Sequence, residues 1–445
     1  MVGIAFYTGL LWDVMLMRIC CTGFLPVLYF IAAASAQSLV FPPYLHSYGI
    51  RKAGPAQLFM FFGPRTFFDN PQGLATAKMV SRDNPSTEAD DDEVVVYGVN
   101  AGRHELIYNT SMWTLALYGS QGSGKDQFLH PRGIACDCRG NVFVADSGNR
   151  RIVHLYNPKR EVQWVKAFSG EGESSLAAPS QVALDEGGRV YVADPGSQRI
   201  VVFDSSGAVI RRIPETRTEF AFSGGPTALA VADGFQYWSY YKKERVIFCA
   251  DSAGARIWKI DFNGKPLKTV SLPRGHRAMY AAIDYYHNLW LTDKNNHCIL
   301  KYDHELTLLD IFGSYGTGDN QFVEPRGIAI WKRYGQTFIA EKTGAQYYWI
   351  GTSLKAWSVQ NTGTPRMKTL VTELTEYSYI SLFHAMGVDT AYFLKKRMVF
   401  PGKQTVDFGI AGDQAGQTVG AILRVEPTYS SYTYYHSDYP VNLTR

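Results

Sequence analysis

Four groups of residues in this chain have types and spacings that chemistry can use. Arg132 and Arg326 each stand between a proline and a glycine, in Pro131-Arg132-Gly133 and Pro325-Arg326-Gly327. Two guanidinium forks on one rim would hold a carboxylate or phosphate in bidentate fashion; the plainer alternative is an ion pair to a neighbouring element or simple exposure. A second group, Phe235, Tyr237, Trp238, Tyr240 and Tyr241, crowds five aromatic rings into GFQYWSYYKKE. Such rings either form a stacking platform for sugars or an apolar partner, or fold back over the element that carries them. The third group offers metal donors. Cys136 and Cys138 flank Asp137, the run Ser81 to Glu93 gathers Asp83 and the five carboxylates Glu88, Asp90, Asp91, Asp92 and Glu93, and His130 and His276 lie near the Pro-x-Gly positions. In one extended strand the two thiols share a face about 7 Å apart, too far for a disulfide. With no second cysteine pair or paired histidines nearby in sequence, Cys136 and Cys138, like Cys249 and Cys298, read as small apolar residues. The acidic spacing matches no calcium loop, and two histidines without a third fall short of a zinc set. Last, Gly119-x4-Gly124-Lys125 imitates a phosphate loop, but Asp126 stands where a magnesium-binding hydroxyl belongs, and its twin at Gly313 lacks the lysine. It reads as a turn.

What must position these residues is a repeat. NVFVADSGNRRIVHLY from Asn141, RVYVADPGSQRIVVFD from Arg189, VIFCADSAGARIWKID from Val246, NLWLTDKNNHCILKYD from Asn288 and QTFIAEKTGAQYYWI from Gln336 align on Asp146, Asp194, Asp251, Asp293 and Glu341. EVVVYGVNAGRHELIY is a sixth copy with Gly98 in the acidic place, and successive separations are 48, 48, 57, 42 and 48 residues. Arg103, Arg151, Arg199 and Arg256 follow five positions later; Cys298 and Gln346 depart from that rule. An F-x-x-P-x-G element opens the copies at Phe68, Phe128 and Phe322. Each copy holds about four period-two apolar stretches divided by Gly, Asn and Asp turns, which reads as four short strands. One such sheet cannot bury both faces, and packing six of them radially buries all. The expected fold is therefore all-β, a six-bladed β-propeller with a central channel. The acids are expected to cap turn amides and the arginines to pair with acids between blades.

The pattern P-x-G-[I/L]-A followed by G-N-V-x-V-A-D-x-G-N-x-R-I resembles the NHL repeat across residues 68 to 359. The resemblance implies that the P-x-G strand is innermost. Lyases of this kind place metal-binding histidines on the inner rim, some of them in Pro-His-Gly, an element that does not occur here. Beyond the period, Lys368 to Glu373, Tyr379 to His384, Thr390 to Leu394, Thr405 to Phe408 and Val419 to Val425 read as strands of a small β-sandwich. The runs ISLFHAMG, FPGKQTVDF, DQAGQTVG and AILRVEPTYSS look like the immunoglobulin-like module related to FlgD, with His384, Phe408 and Ala421-Ile422 departing from its usual residues. Tyr429, Tyr432, Tyr434, Tyr435 and Tyr439 form either a last edge strand or an aromatic contact surface.

The 445 residues are 46% hydrophobic and 19% charged, with Lys+Arg 44 against Asp+Glu 40, so neither disorder nor a nucleic-acid partner is expected. Arg18 precedes the apolar run Ile19 to Ala34, which closes on Ala34-Ser35-Ala36, the small-x-small pattern of signal-peptide cleavage. A retained anchor is the alternative, although the run is short for a span and holds Pro26. The organisation expected is a signal peptide over 1–36, an N-terminal segment over 37–58, the propeller over 59–363, and the immunoglobulin-like sandwich and tail over 364–445. No G-x-S-x-G elbow or zincin helix is present. The reading is a secreted or cell-envelope, monomeric, non-enzymatic protein that binds a protein or glycan through Arg132, Arg326, Tyr237, Trp238, Tyr240 and Tyr241, with no metal or other cofactor, no nucleic acid and no membrane span after cleavage. The alternative is a lyase or hydrolase working at the channel mouth. Intact-mass measurement of exported protein should place the first residue near Gln37; a mass that retains residues before Ala34 would favour the anchor.

Overall fold

Period-two runs of valine, isoleucine and aromatic residues give strands nearly throughout the computed structural model. It describes residues 38–41, 52–80, 94–111, 114–216, 220–253, 255–362, 364, 366–386, 389–410, 418–429 and 435–444. The expected signal peptide, the acidic run Ser81 to Glu93, Asp413 to Gln417, and Tyr432 with Tyr434 lie outside these residues. Among the described residues no helix is long and apolar enough to cross a membrane.

Five antiparallel four-stranded sheets follow one another in chain order. Their innermost strands are Pro71–Lys78, Ile134–Cys136, Gln181–Leu184, Pro226–Asp233 and Tyr280–Ile283. A sixth sheet has Ile328–Trp331 innermost, then Gln336–Glu341 and Gly344–Ile350. Neighbouring inner strands touch all the way round, the sixth against the first, so the sheets are the blades of a β-propeller. The outer place in blade six is filled from the N-terminal side: Leu39 pairs with Ile350 and Val40 with Trp349, while Lys52–Ala53 pairs with Gln346 and Ala345. The propeller therefore draws on residues before 59. Phe59 itself lies in the short helix Pro55–Phe62, which Pro55 starts and Gly63 stops.

The repeat's acids do cap amides, but mainly those of the loop that enters their own blade. Asp146 accepts from Leu129 N at 2.7 Å, Asp194 from Ala177 N and Ala178 N at 2.8 and 2.7 Å, and Glu341 from Val323 N at 2.8 Å. The arginine pairing is within a blade rather than between blades. Arg151 Nε meets Asp146 at 2.8 Å and its other nitrogens reach the carbonyls of Ser123, Gly124 and Gln127, whereas Arg103 donates to Arg65 O and Arg199 Nε is buried without a partner among the described residues. Each acid thus ties an entering loop to the blade it opens, which is a local constraint.

The strand Leu354–Asn361, within the span expected for the propeller, pairs instead with Met367–Leu374. With Gly402–Gly409 these make a three-stranded sheet facing a four-stranded one of Asp389–Val399, Ser378–Met386, Thr418–Pro427 and Ser437–Thr444. Leu370, Leu374, Ile380, Leu382 and Leu423 fill the space between, so the C-terminal part is a β-sandwich, with Tyr439 in its edge strand. The sandwich is fastened to blade five. Tyr377 stacks on Tyr286 with centroids 3.8 Å apart and planes 7° apart, and the fully buried Lys301 and Glu376 form an ion pair beside it. Burial raises the Glu376 carboxyl above its ordinary range and Lys301 opposes that shift. Asn288 and the Tyr377 amide also donate to Glu376.

Removing one member of a buried pair strands the other charge, so Glu376→Ala should lower stability by about 3–5 kcal/mol in denaturant unfolding. Lys301→Met with Glu376→Leu should recover most of that loss. A single variant as stable as the parent would mean that the pair is solvated.

Candidate functional site

The channel opens differently at its two ends. Where the inner strands finish, a cavity of about 400 Å³ is walled by small and branched residues such as Ala75, Ala77, Val182, Val231 and Ile283, and ringed by Asp137, Arg139, Glu186, Tyr237, Trp238, Trp331 and Lys332. Tyr237 and Trp238 come from the insertion in blade four, meet edge to face at 4.7 Å, and leave Tyr237 79% exposed. The Arg333 guanidinium lies 4.9 Å from the Trp238 ring and holds it at this aromatic mouth. Lys332 donates to Gln236 Oε1 at 2.6 Å; burial lowers its ammonium to about 8, against the pull of Asp284, Asp233 and Glu186. Burial likewise raises the Glu186 carboxyl, which Arg139 offsets from 3.8 Å. The mouth thus places aromatic faces beside an amine and a carboxyl whose charged forms burial disfavours.

The other three aromatics of the insertion do not line this cavity: Phe235 lies 5.0 Å from the Arg245 guanidinium, and Tyr240 and Tyr241 turn elsewhere. Tyr241 stacks on His304 at 4.0 Å and shares a 2.5 Å hydrogen bond with the Tyr377 hydroxyl, and Tyr240 packs near Tyr286 and Tyr377. They join the propeller to the sandwich. Beneath them Ser239 Oγ lies 2.7 Å from His287 Nε2, and His287 Nδ1 lies 2.6 Å from Glu244 Oε2, the connectivity of a Ser-His-acid relay. Ser239 is fully buried, the next amide, Tyr240 N, is committed to Tyr285 O, and Glu244 is also held by Lys259 at 2.8 Å. Burial alone would raise the Glu244 carboxyl, but His287, His304 and Lys259 together pull it well below the carboxylate range. No acyl group reaches such a serine, and the relay anchors the loop. No spacing in the sequence announces it, because the chain from Glu244 to His287 returns through a whole further blade.

Where the inner strands begin, a second cavity of about 550 Å³ is lined by Gln72 and Arg132, from the middle of P-x-G elements, and by Ser180, Thr227 and Met279, which hold the aligned places in blades three, four and five. Arg132 is exposed on the wall, with no side-chain partner among the described residues. Arg326, the sixth, is turned inward: 7% exposed, it donates to Asn70 Oδ1, to Pro71 O at 3.1 Å and to Glu324 at 3.1 Å. The two arginines share this rim and both face the buried Tyr280 phenol, but only Arg132 offers a free fork. The two cavities share no lining residue. Between them Gln181 and Tyr280 occupy places that glycine holds in blades one, two and six. Gln181 donates to Ala281 O at 2.9 Å and accepts from Leu229 N at 2.8 Å, and Tyr280 donates to Gln72 Oε1 at 2.8 Å.

His276, Asp293 and Cys298 bring a nitrogen, an oxygen and a sulfur within 4.8 Å of one another. Asp293 is already occupied by the amides of Arg277, Asn295 and Asn296, the last also through its side chain, and burial pushes the Cys298 thiol up to about 12. His276, 3.0 Å from Asp293, does here what Arg151 does in blade two. Cys136, Cys138, Cys249 and Cys298 are free thiols. The turn from Gly119 closes on itself, Gly122 N to Phe128 O at 2.9 Å and Gly124 N to Gln127 Oε1 at 3.0 Å, so its amides are not available to a phosphate.

The NHL repeat model matches residues 128–155, which are the entering loop and first three strands of blade two. No curated protein matches the chain in sequence. Among solved structures, virginiamycin B lyase from Staphylococcus aureus is similar at 14% identity and a TM-score of 0.42, covering 58% of this chain and 78% of the lyase. A gluconolactonase from Xanthomonas campestris is similar at 11% identity and a TM-score of 0.46, covering 70% and 99%. Hydrazine synthase of Kuenenia stuttgartiensis is similar at 12% identity and 0.42, covering 70% and 80%. The chain carries an NHL repeat within a β-propeller.

Proposed function

We propose that the protein is an exported, non-enzymatic binding protein that takes a protein or glycan ligand at the aromatic mouth, with the C-terminal sandwich, an immunoglobulin-like module, serving as spacer or attachment unit. The observation that carries this reading is the pair Tyr237 and Trp238 at the rim of the 400 Å³ cavity, one ring largely exposed and the other held by Arg333. An exposed tyrosine beside a tryptophan offers faces on which a sugar ring stacks. Asp137, Glu186 and Lys332, below the rings, supply the acceptors and donors that hydroxyl groups need, which favours a glycan over an apolar peptide.

On a glycan array, and by calorimetry with the best hit, Trp238→Ala should weaken binding several-fold or more, since an aromatic contact contributes about 0.5–1.5 kcal/mol beyond burial. Its unfolding free energy should fall by no more than about 1 kcal/mol, the scale of the contact to Arg333. Lost stability with unchanged affinity would place the ligand elsewhere.

One observation favours a lyase or hydrolase at this same mouth. Lys332, whose amine loses its proton near pH 8, stands in one cavity with Glu186 and would serve as a base. In that case, turnover in a panel of lactones, esters and uronides would rise as pH passes about 8 and vanish in Lys332→Met; a flat profile at background rate in both proteins removes the reading.

A further inference from the structure

The mouth at the P-x-G end carries a charge pattern that the aromatic mouth does not. Arg132, Arg277 and Lys294 line its 550 Å³ cavity, and no lining residue is acidic. Among the described residues none of these three side chains has an ion pair or hydrogen bond, and the Asn295 side-chain amide beside Lys294 is equally uncommitted. Arg277 and Asn295 spend only their backbone amides, both on Asp293, and that carboxylate faces away into its own loop, occupied by Asn296 and His276. The hydroxyls of Ser180 and Thr227 donate to the carbonyls of Ala193 and Ala250, so the hydrogen-bond capacity left in the cavity belongs to the cations, the amides and the His130 imidazole. Below them Tyr280 and Gln72 close the floor.

The placement adds a second constraint. Arg132 belongs to blade two, while Arg277 and Lys294 belong to the loops of blade five, three steps round a ring of six sheets and hence on the opposite wall. Unneutralised cations around a concave, protein-walled space focus positive potential into it. A single small ion cannot face both walls at once, but a compound with an anionic group at each end can, with hydroxyls between for the Asn295 amide. We propose that this mouth is a binding site for a small hydroxylated dianion, one oxyanion group held by Arg132 and the other by Arg277 with Lys294. The shared chemistry is the oxyanion; a phosphate and a carboxylate are its two sources.

Calorimetry on the full mature protein at low salt and about pH 5, where each phosphate of a bisphosphate carries a single charge, tests this with fructose 1,6-bisphosphate as the phosphate probe, galactarate as the carboxylate probe and galactitol as the neutral control. At least one dianion should bind, galactitol should not, and affinity should fall steeply with added salt. Binding of the bisphosphate alone assigns phosphate; binding of galactarate alone assigns carboxylate. Arg132→Ala and Arg277→Ala should each cost about tenfold or more, the size of one charge-assisted contact, and Lys294→Ala somewhat less. Both arginines are exposed, so the melting temperature should hold in each variant. Trp238→Ala should leave dianion affinity unchanged, which keeps this site separable from the aromatic mouth. No binding of either dianion, or binding untouched in the Arg132→Ala, Arg277→Ala double variant, overturns the proposal.

Discussion

The closest approach between neighbouring blades sets everything else in this molecule. In blades one, two and six a glycine stands close to the start of the inner strand, and the next blade's backbone lies against it. A Cβ on Gly73 would sit 2.7 Å from Arg132 O, one on Gly133 2.5 Å from Gln181 Cα, and one on Gly327 2.2 Å from Gln72 O. None of these glycines needs an unusual φ; what each needs is the absence of a side chain. Gly73 N and Gly327 N use that closeness to donate across the seam, to Arg132 O and Gln72 O, at 2.9 and 3.0 Å. The same backbone that closes the ring therefore fixes the residue before each glycine on the rim, and this is why the P-x-G residues line one cavity.

In blades three and five the glycine is replaced by Gln181 and Tyr280, and the seam changes character. Gln181 substitutes side-chain hydrogen bonds to blades four and five for the missing backbone contact, and Tyr280 crosses to blade one. Gln181 lines the cavity at one end of the channel and Tyr280 the cavity at the other. The cavities differ chemically because they are built from different parts of the repeat: one from the loops that enter the inner strands, the other from the turns that leave them and from the insertion of blade four.

The blades were readable in the sequence because each repeats a strand pattern, anchored in five of the six by an acid whose partners lie within the same copy, as Asp146 and Leu129 do. The outer strand of blade six was not, since Leu39–Val40 is too short to show a period and its partner Ile350 is remote. For the same reason Leu354–Asn361 resembles an outer propeller strand until its pairing with Met367–Leu374 is seen. The aromatic insertion stood out because the repeat does not require it. Its division, Tyr237 and Trp238 to the channel and Tyr240 and Tyr241 to the sandwich, depends on Tyr286 and Tyr377, which no local pattern connects to it. Arg132 and Arg326 occupy matching places in the repeat, yet Glu324 and Asn70 engage one and leave the other free. Arg277 and Lys294 gave no signal because their relation to Arg132 exists only across the ring.

The pairing of Leu39 with Ile350 joins residues about 310 positions apart. Closing so long a loop costs chain entropy that nothing local offsets beforehand. A chain emerging from its N-terminus makes Leu39–Val40 first and can place them only after Gly344–Ile350 has been made. Five blades accumulate while a strand with an affinity for sheet edges stands without its partner, and the outer strand of every completed blade is an edge on which it can pair wrongly. Among the described strands of the propeller the one made first can be placed only after the sixth blade's Gly344–Ile350, and the time between those events is an interval in which this propeller is open to misassembly.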